Sequence, residues 1–178
     1  MKSLFGFLSV LTLTTAALAL EPPPLANPVS PEIIAKHRAM VSGQCEAEQE
    51  ANATAYDLTP TVKLVMVPCF MGAYQGSARA YLTYGSGAEL SLEPIALLSM
   101  EGKTIVATLD LGDGDFDSKT NTIYTHAKGR GIGDCGQSSQ SKVSVDQYGS
   151  VSIKTVKINS KDKCDGKMTA WPLVFSQK

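Results

Sequence analysis

Hydrophobic and polar residues alternate in short segments over most of this chain of 178 residues, from position 61 onward. The segments are rich in Val, Ile, Thr and Tyr, and glycine and Asx turns separate them, which is typical of strands joined by tight connections. The predicted strands are 61–67, 78–84, 94–100, 104–109, 120–127, 142–146, 150–158 and 171–175. They predict a mainly β fold, either an antiparallel sandwich or a partly closed barrel.

The alternation is clearest in the segment 150–158, where it also shifts once. Val151 and Ile153 follow one alternation, and Val156 and Ile158 resume it one position out of phase. One extra residue in a strand of an antiparallel pair produces such a shift. The segment therefore predicts a β-bulge between Ile153 and Val156.

Residues 30–43 follow a helical period instead and predict one short amino-terminal helix. Ser30 can act as the N-cap, and Pro31 suits the first helical position. The residues on one face are Ile33, Ile34, His37, Met40 and Val41. We interpret His37 as a packed or partly exposed histidine of that face rather than a ligand.

The chain begins with the pattern of a secretory signal peptide. Lys2 is followed by an apolar run at 4–18 and by the small-x-small triplet that ends at Ala19. The run of about 15 residues is shorter than the roughly 20 that span a bilayer. We therefore predict a signal peptide at 1–19, a proline-rich tether at 20–29 and one disulfide-tied domain at 30–178, with no membrane span after processing.

The charge of the chain is nearly balanced, with a formal net charge of −1 and no block of like charge. Such a chain has no electrostatic reason to bind nucleic acid or an anionic membrane. With 43% hydrophobic and 19% charged residues, the composition is that of a folded protein.

The four cysteines, Cys45, Cys69, Cys135 and Cys164, all follow the predicted cleavage point. An even number in an oxidising compartment favours two disulfides. Pairing Cys45 with Cys69 and Cys135 with Cys164 closes the shortest loops, so this sequential pairing has the lowest entropic cost. The crossed and nested pairings stay open as alternatives.

A glycine-rich loop at 128–136 contains the pattern GxGxxG, but a polar stretch and a strand follow it rather than the helix that a dinucleotide site requires. Glycines suit a tight backbone path, and successive amides beside two basic residues could also bind an anion. The candidate binding residues are Lys128, Arg130 and Asp134, with Tyr74 from the segment after Cys69. The predicted partner is an unknown protein or a small anionic ligand, with no cofactor.

Three alternating acidic residues, Asp113, Asp115 and Asp117, resemble the start of a calcium-binding EF-hand loop. Ser118 replaces the required glycine and Tyr124 replaces the bidentate glutamate, so an ordinary acidic turn without metal is favoured. The motifs of serine hydrolases and zinc proteases are absent from the sequence. Carboxylates such as Asp113, Asp115 or Asp134 leave a small hydrolase or carbohydrate-active enzyme as the alternative function.

Three segments together resemble a bacterial family, domain of unknown function 1176. They are 67–74, reading VPCFMGAY, then 116–136, reading FDSKTNTIYTHAKGRGIGDCG, and 164–166 with Trp171 and Pro172 after it. The chain is similar to the carboxy-terminal part of this family, whose usual members are longer. The resemblance implies export in a Gram-negative bacterium and structural cysteines, and it implies no activity or catalytic residue.

These observations favour a periplasmic binding or interaction domain over an enzyme. A rigid loop tied by a disulfide presents side chains at low entropic cost. A sharper hypothesis is an inhibitor of an envelope-targeting hydrolase such as lysozyme, because small exported β domains can block a cleft with a protruding loop. This hypothesis rests on an analogy of architecture.

Overall fold

Two five-stranded sheets and a separate hairpin form the architecture of the chain in a computed structural model, which describes residues 27–177. The helices are α1 (Pro31–Val41) and α2 (Ala47–Glu50). The strands are β1 (Asn27–Pro28), β2 (Thr54–Asp57), β3 (Val62–Met71), β4 (Gly76–Tyr84), β5 (Ser91–Pro94), β6 (Leu97–Glu101), β7 (Thr104–Thr108), β8 (Asp113–Asp117), β9 (Thr122–Lys128), β10 (Gly136–Val145), β11 (Val151–Lys161) and β12 (Leu173–Ser176). The predicted signal peptide at 1–19 lies outside the described residues.

Each sheet is an antiparallel arrangement in which neighbours in the chain are also neighbours in the sheet. The first sheet has the order β1-β2-β3-β4-β5, and the second has the order β12-β11-β10-β9-β8. Strands β6 and β7 pair with each other as a hairpin and connect the two sheets in sequence. The mainly β, antiparallel fold is confirmed, and neither sheet closes into a barrel within the described part of the chain.

The main hydrophobic core joins the facing sides of the two sheets. Leu64, Met66 and Leu82 project from the first sheet, and Ile123 and Val143 from the second. Leu64 and Ile123 are completely buried. Alternate residues of these strands point to the core, which is the two-residue period that the sequence displays.

Helix α1 covers the other face of the first sheet. Ile33 packs in a second cluster with Val65, Val67 and Tyr81. The helix begins with Pro31 after the N-cap residue Ser30, as the sequence predicts, and ends at Val41, two residues before the predicted end at Gly43. The one-turn helix α2 is additional to the single helix expected, because its polar sequence shows no helical face.

The described end of the predicted tether is attached to the first sheet. Asn27 pairs with Ala55, and Pro28 pairs with Thr54, at the outer edge of β2. The remaining tether residues, 20–26, lie outside the described residues.

The predicted bulge is confirmed in β11. Gln140 pairs with Lys157 while the next residue, Ser141, pairs with Thr155, so Val156 is the extra residue. Ile158 is consequently brought back to the buried side of the strand.

Both disulfides form in the sequential pairing. Cys45 joins Cys69 across 24 positions, and Cys135 joins Cys164 across 29. The first bond connects the segment after α1 to β3. The second connects the glycine-rich loop to the segment between β11 and β12.

Candidate functional site

The tip of the β3–β4 hairpin contacts the glycine-rich loop 128–136. Within the tip, the Gly72 amide donates to the Gln75 carbonyl over 2.9 Å. The Lys128 ammonium donates to the Tyr74 carbonyl at 2.9 Å, and the Lys128 amide donates to the Gln75 side chain. These two bonds span 54 and 53 positions of the chain, so the structure brings together segments that are distant in sequence. We call residues 71–75 and 128–136 the tip surface.

A missing side chain at position 131 lets the two segments touch. A Cβ placed on Gly131 would lie 2.8 to 3.0 Å from three ring atoms of Tyr74. Such distances are shorter than carbon atoms tolerate, so the ring of Tyr74 lies directly on the backbone of the loop. Glycine suits this position because the Tyr74 ring approaches the backbone closely. The sequence pattern alone could not separate this reason from a glycine needed for a turn.

Arg130 and Asp134 form an ion pair inside the loop. The guanidinium donates through Nε to Oδ1 at 2.7 Å and through Nη2 to Oδ2 at 2.6 Å, while the Gly166 amide donates to Oδ2 at 2.6 Å. The hydrogen bonds from Arg130, with that from Gly166, hold the pKa of Asp134 far below its usual range. Asp134 is completely buried, so its carboxylate serves the loop and is not presented to a partner.

The anion that Arg130 of this loop binds is therefore the carboxylate of Asp134. Two amides of the loop also donate to carbonyls within it, Gly129 to the Cys135 carbonyl and Gly133 to the Arg130 carbonyl. Arg130 keeps 46% of its side chain exposed, so the guanidinium still contributes positive charge to the surface.

Three apolar side chains on the tip surface are largely exposed. The exposed fraction is 57% for Met71, 68% for Tyr74 and 60% for Ile132. Sequence reasoning identified Tyr74 but missed Met71 and Ile132. Both are hydrophobic residues that adjoin glycines and lie outside the predicted strands, and this pattern was the available sign of their exposure.

The acidic segment 113–117 is a strand rather than a turn, which corrects the sequence interpretation. Asp113 accepts a hydrogen bond from the Gly76 amide, and Asp115 accepts one from the amide of the following residue. Asp117 accepts from the Thr120 hydroxyl, which lowers its pKa, with a smaller effect from the Lys119 amide. These carboxylates fix β8 and its turn, and in the described part of the chain no cation-binding group of side chains includes them.

Two clusters within the described residues have metal-ligand spacing, His37 with Cys45 and Cys69, and Asp134 with Cys135 and Cys164. In both clusters the sulfurs are joined in a disulfide, so they provide no thiolate for a metal. The histidine of the first cluster is packed, as expected from the sequence.

His37 belongs to a buried polar cluster between α1 and the first sheet. Its Nδ1 lies 2.7 Å from the Tyr81 hydroxyl, and its Nε2 lies 3.4 Å from a carboxylate oxygen of Glu50. Arg38 donates to the other oxygen of Glu50 at 2.5 Å. Burial lowers the pKa of His37 below its ordinary value of 6.5, and the Glu50 charge opposes this effect only in part.

A cavity of about 420 Å³ opens beside the tip surface. It lies between the β6–β7 hairpin and the paired strands β9 and β10, with Phe70 in its lining. Asp113, Asp115 and Asp134 are absent from this lining, so the carboxylates singled out in the sequence do not converge there.

Comparison with known proteins gives a family but no function. The family model described as "Protein of unknown function (DUF1176)" matches residues 10–178. A curated relative, "Uncharacterized protein YpfG" of Escherichia coli (strain K12), is 35% identical over 89 residues. That alignment covers 49% of this chain and 25% of the relative, so the chain spans about a quarter of the relative's length. No solved structure matches the chain.

Proposed function

The chain belongs to the DUF1176 family of proteins of unknown function, and on this premise we propose that it is an exported binding module of the bacterial envelope. Its binding surface is the tip surface, and its partner is a protein. The observation that carries the proposal is the exposure of Met71, Tyr74 and Ile132 on two segments that contact each other.

Rigid presentation supports this function. The loop is anchored by the Cys135–Cys164 disulfide, and the hairpin strand β3 is anchored by the Cys45–Cys69 disulfide. The ion pair of Arg130 with Asp134 and the packing of Tyr74 on Gly131 fix the parts in between. A surface that is already ordered loses little conformational entropy when it binds, so more of its contact energy contributes to affinity.

The chemistry of the surface indicates the kind of partner. Exposed aromatic and aliphatic anchors are typical of residues that dominate protein–protein binding energy. Lys128 and Arg130 add positive charge, while the negative charge of Asp134 is buried. A partner with an apolar cleft lined by carboxylates is complementary to this arrangement.

The active site of a glycoside hydrolase is a cleft of that kind, because such enzymes place a pair of carboxylates across the glycosidic bond. Nε and Nη2 of Arg130 are bonded to Asp134, so the exposed part of the guanidinium is what the tip surface offers to such a pair. We therefore keep inhibition of an envelope-targeting hydrolase such as lysozyme as the sharper form of the proposal.

Export is part of the proposal and has three supports. The amino terminus has the pattern of a signal peptide, both disulfides form, and the resemblance indicates a Gram-negative source. Within residues 27–177, no helix is long and apolar enough to cross a bilayer. The proposed location is the periplasm.

The alternative of a small hydrolase finds less support in the geometry. Asp134 is buried in an ion pair, and Asp113 accepts a hydrogen bond from the Gly76 amide. Both carboxylates are thus committed to contacts within the fold.

A binding experiment tests the proposal with lysozyme as the first probe. The processed protein is titrated against c-type lysozyme, and both the dissociation constant and the residual cell-wall hydrolysis are measured. Tyr74→Ser and Ile132→Ser should each weaken binding at least about tenfold, the effect expected at the centre of an interface. Tyr148→Ser is the matched control, since Tyr148 is 83% exposed on the distant β10–β11 turn.

If lysozyme does not bind, the sharper form fails and envelope extracts supply the candidates. A partner purified on the immobilised protein is then titrated against the same three variants. Binding that is equal for the tip variants and the wild type would contradict the assignment of the tip surface.

A further inference from the structure

The cavity beside the tip surface has the size and concavity of a ligand site. Its volume of about 420 Å³ falls within the range of roughly 300 to 1,000 Å³ that is typical of small-molecule pockets. It is lined by the β6–β7 hairpin on one side and by β9 and β10 on the other. Met71, Tyr74 and Ile132 are not part of the lining, and Gln75 is the residue that the lining shares with the tip surface.

Uncharged hydrogen-bonding groups dominate the polar part of the lining. They include Ser77, Ser99, Thr108, Thr125, Gln137 and Ser139. The side-chain carbonyl of Gln137 accepts bonds from the Met100 amide at 2.6 Å and the Ser99 hydroxyl at 3.0 Å. These bonds fix the orientation of the amide, because only the oxygen can accept them.

Two groups in the lining keep hydrogens that they can donate to a ligand. The amide nitrogen of Gln137 has two hydrogens and no hydrogen-bond partner among the described residues. The hydroxyls of Thr125 and Ser139 lie 2.7 Å apart and share one hydrogen, so one hydroxyl hydrogen of the pair remains to be donated. A ligand in the cavity is offered both donors and acceptors at fixed positions.

The charges of the lining disfavour an anionic ligand. Among the described residues that line it there is no lysine, arginine or histidine, while Glu101 and Asp110 contribute two exposed carboxylates. A carboxylate also accepts hydrogen bonds from neutral hydroxyl groups. Phe70, 48% exposed, adds an aromatic ring to the lining.

We infer that this cavity binds an uncharged carbohydrate. Carbohydrate hydroxyls donate to Glu101 and Asp110 and accept from the Gln137 amide, and the apolar face of a sugar ring packs on Phe70. A polyamine would use the two carboxylates but leave the oriented amide and hydroxyl donors without acceptors, at a cost in free energy for each group that is desolvated. The inference does not depend on the proposed protein partner.

The test uses the intact processed protein and a panel of neutral glycans. Cellobiose, maltose and N,N′-diacetylchitobiose are titrated into ¹⁵N-labelled protein, with spermidine as the cationic comparison. At least one glycan should shift the side-chain amide resonances of Gln137 and the backbone amides of Ser99 and Ser139. Gln137→Glu keeps the accepting oxygen for Met100 and Ser99 but removes the amide donor, so it should weaken binding about tenfold.

Phe70→Leu provides a second variant that is safe for the fold, because Phe70 is half-exposed and the substitution retains an apolar side chain. It should also weaken glycan binding severalfold, whereas Tyr148→Ser and Tyr74→Ser should bind as the wild type does. Shifts with spermidine alone, no shift with any glycan, or equal glycan affinity in Gln137→Glu and Phe70→Leu would each overturn the inference.

Discussion

Arg130 holds the buried carboxylate of Asp134 with two parallel hydrogen bonds of 2.7 and 2.6 Å. A paired geometry of this kind is the strongest form of arginine–carboxylate contact. It joins positions four residues apart in a loop, and the Gly166 amide extends it to the segment that carries Cys164. The charges of the glycine-rich loop therefore act first on the fold and only secondarily on a partner.

Removing one member of this pair should destabilise the protein. In Arg130→Ala the carboxylate of Asp134 stays buried with one amide donor, and in Asp134→Asn the guanidinium loses the negative charge and one of its two accepting oxygens. We expect each variant to lower Tm by at least about 5 °C in thermal unfolding followed by circular dichroism. Asp115→Asn is the control, because Asp115 is exposed and asparagine keeps an oxygen that accepts from the Phe116 amide. A Tm equal to that control would contradict a structural role.

The stability of the protein should decrease on mild acidification because of His37. Burial lowers the pKa of His37, so below its ordinary value of 6.5 the unfolded chain binds a proton that the folded chain resists. The groups facing His37 are Tyr81, Glu50, Arg38 and Arg79. The contribution of His37 to the free energy of unfolding is therefore fully present above pH 6.5. It decreases as the pH falls from 6.5 to the folded-state pKa, by at most about 1.4 kcal/mol per pH unit.

Chemical denaturation between pH 8 and pH 5 measures this slope. His37→Gln should flatten it at the cost of lower stability at pH 8, because the hydrogen bond with Tyr81 is changed. Tyr148→Ser is the control and should retain the slope, since Tyr148 is 83% exposed and the variant leaves His37 and its neighbours in place. An unchanged slope in His37→Gln would show that another group is responsible.

Each disulfide should contribute separately to stability. The two loops span 24 and 29 positions, and in the chain-entropy model each bond is worth about 3 kcal/mol. Double variants that replace one pair with alanine should show this loss in urea denaturation. Non-reducing peptide mapping of the wild type should recover both pairs, and a free thiol or a crossed pair would contradict the structure.

Gly136 should tolerate no side chain. Its φ is +139°, and a Cβ there would lie 2.2 Å from the Ala127 carbonyl oxygen and 2.9 Å from the Lys128 Cα. Gly136→Ala must therefore separate β9 from β10, and we expect little folded protein in soluble expression and in thermal unfolding.

The matched control for this variant is Gly149→Ala. Gly149 also has a positive φ, +80°, but beyond its two chain neighbours no atom of the described residues lies within 4 Å of its added Cβ. The strain of a left-handed residue alone should cost about 1 to 2 kcal/mol. Equal losses in the two variants would show that strain rather than collision limits position 136.

Several elements followed directly from the sequence because a single local signal determines them. The alternation in β11 locates its bulge, and the proline at the start of α1 locates the helix. The loop-closure argument gives the disulfide pairing, because the sequential pairs close the shortest loops.

Strand β8 and the first half of β10 could not be predicted for a common reason. The segments 113–117 and 136–141 are rich in aspartate, serine and glutamine, residues that disfavour or do not indicate a strand. Neighbouring strands impose the conformation: β9 pairs with both segments along its two edges. This stabilisation comes from the neighbouring strand, so the segments themselves need no alternation of hydrophobic and polar residues.

The site was predictable only in part for a similar reason. Tyr74 and Lys128 were singled out separately, and a hydrogen bond from the Lys128 ammonium to the Tyr74 carbonyl joins their segments. The burial of Asp134 could not be foreseen, because it requires an amide from Gly166, 32 positions away.

The attachment of β1 determines how the protein responds to a pulling force at its amino end. Within residues 27–177, this strand pairs with β2 through Asn27 and Pro28, at the outer edge of the first sheet. A load applied there would peel β1 first and then lift α1 from the sheet, until Cys45 transmits the force through its disulfide to β3. The disulfide thus limits the stretch that such a load extends first to residues 27–44, and the glycine-rich loop and the cavity lie outside that stretch.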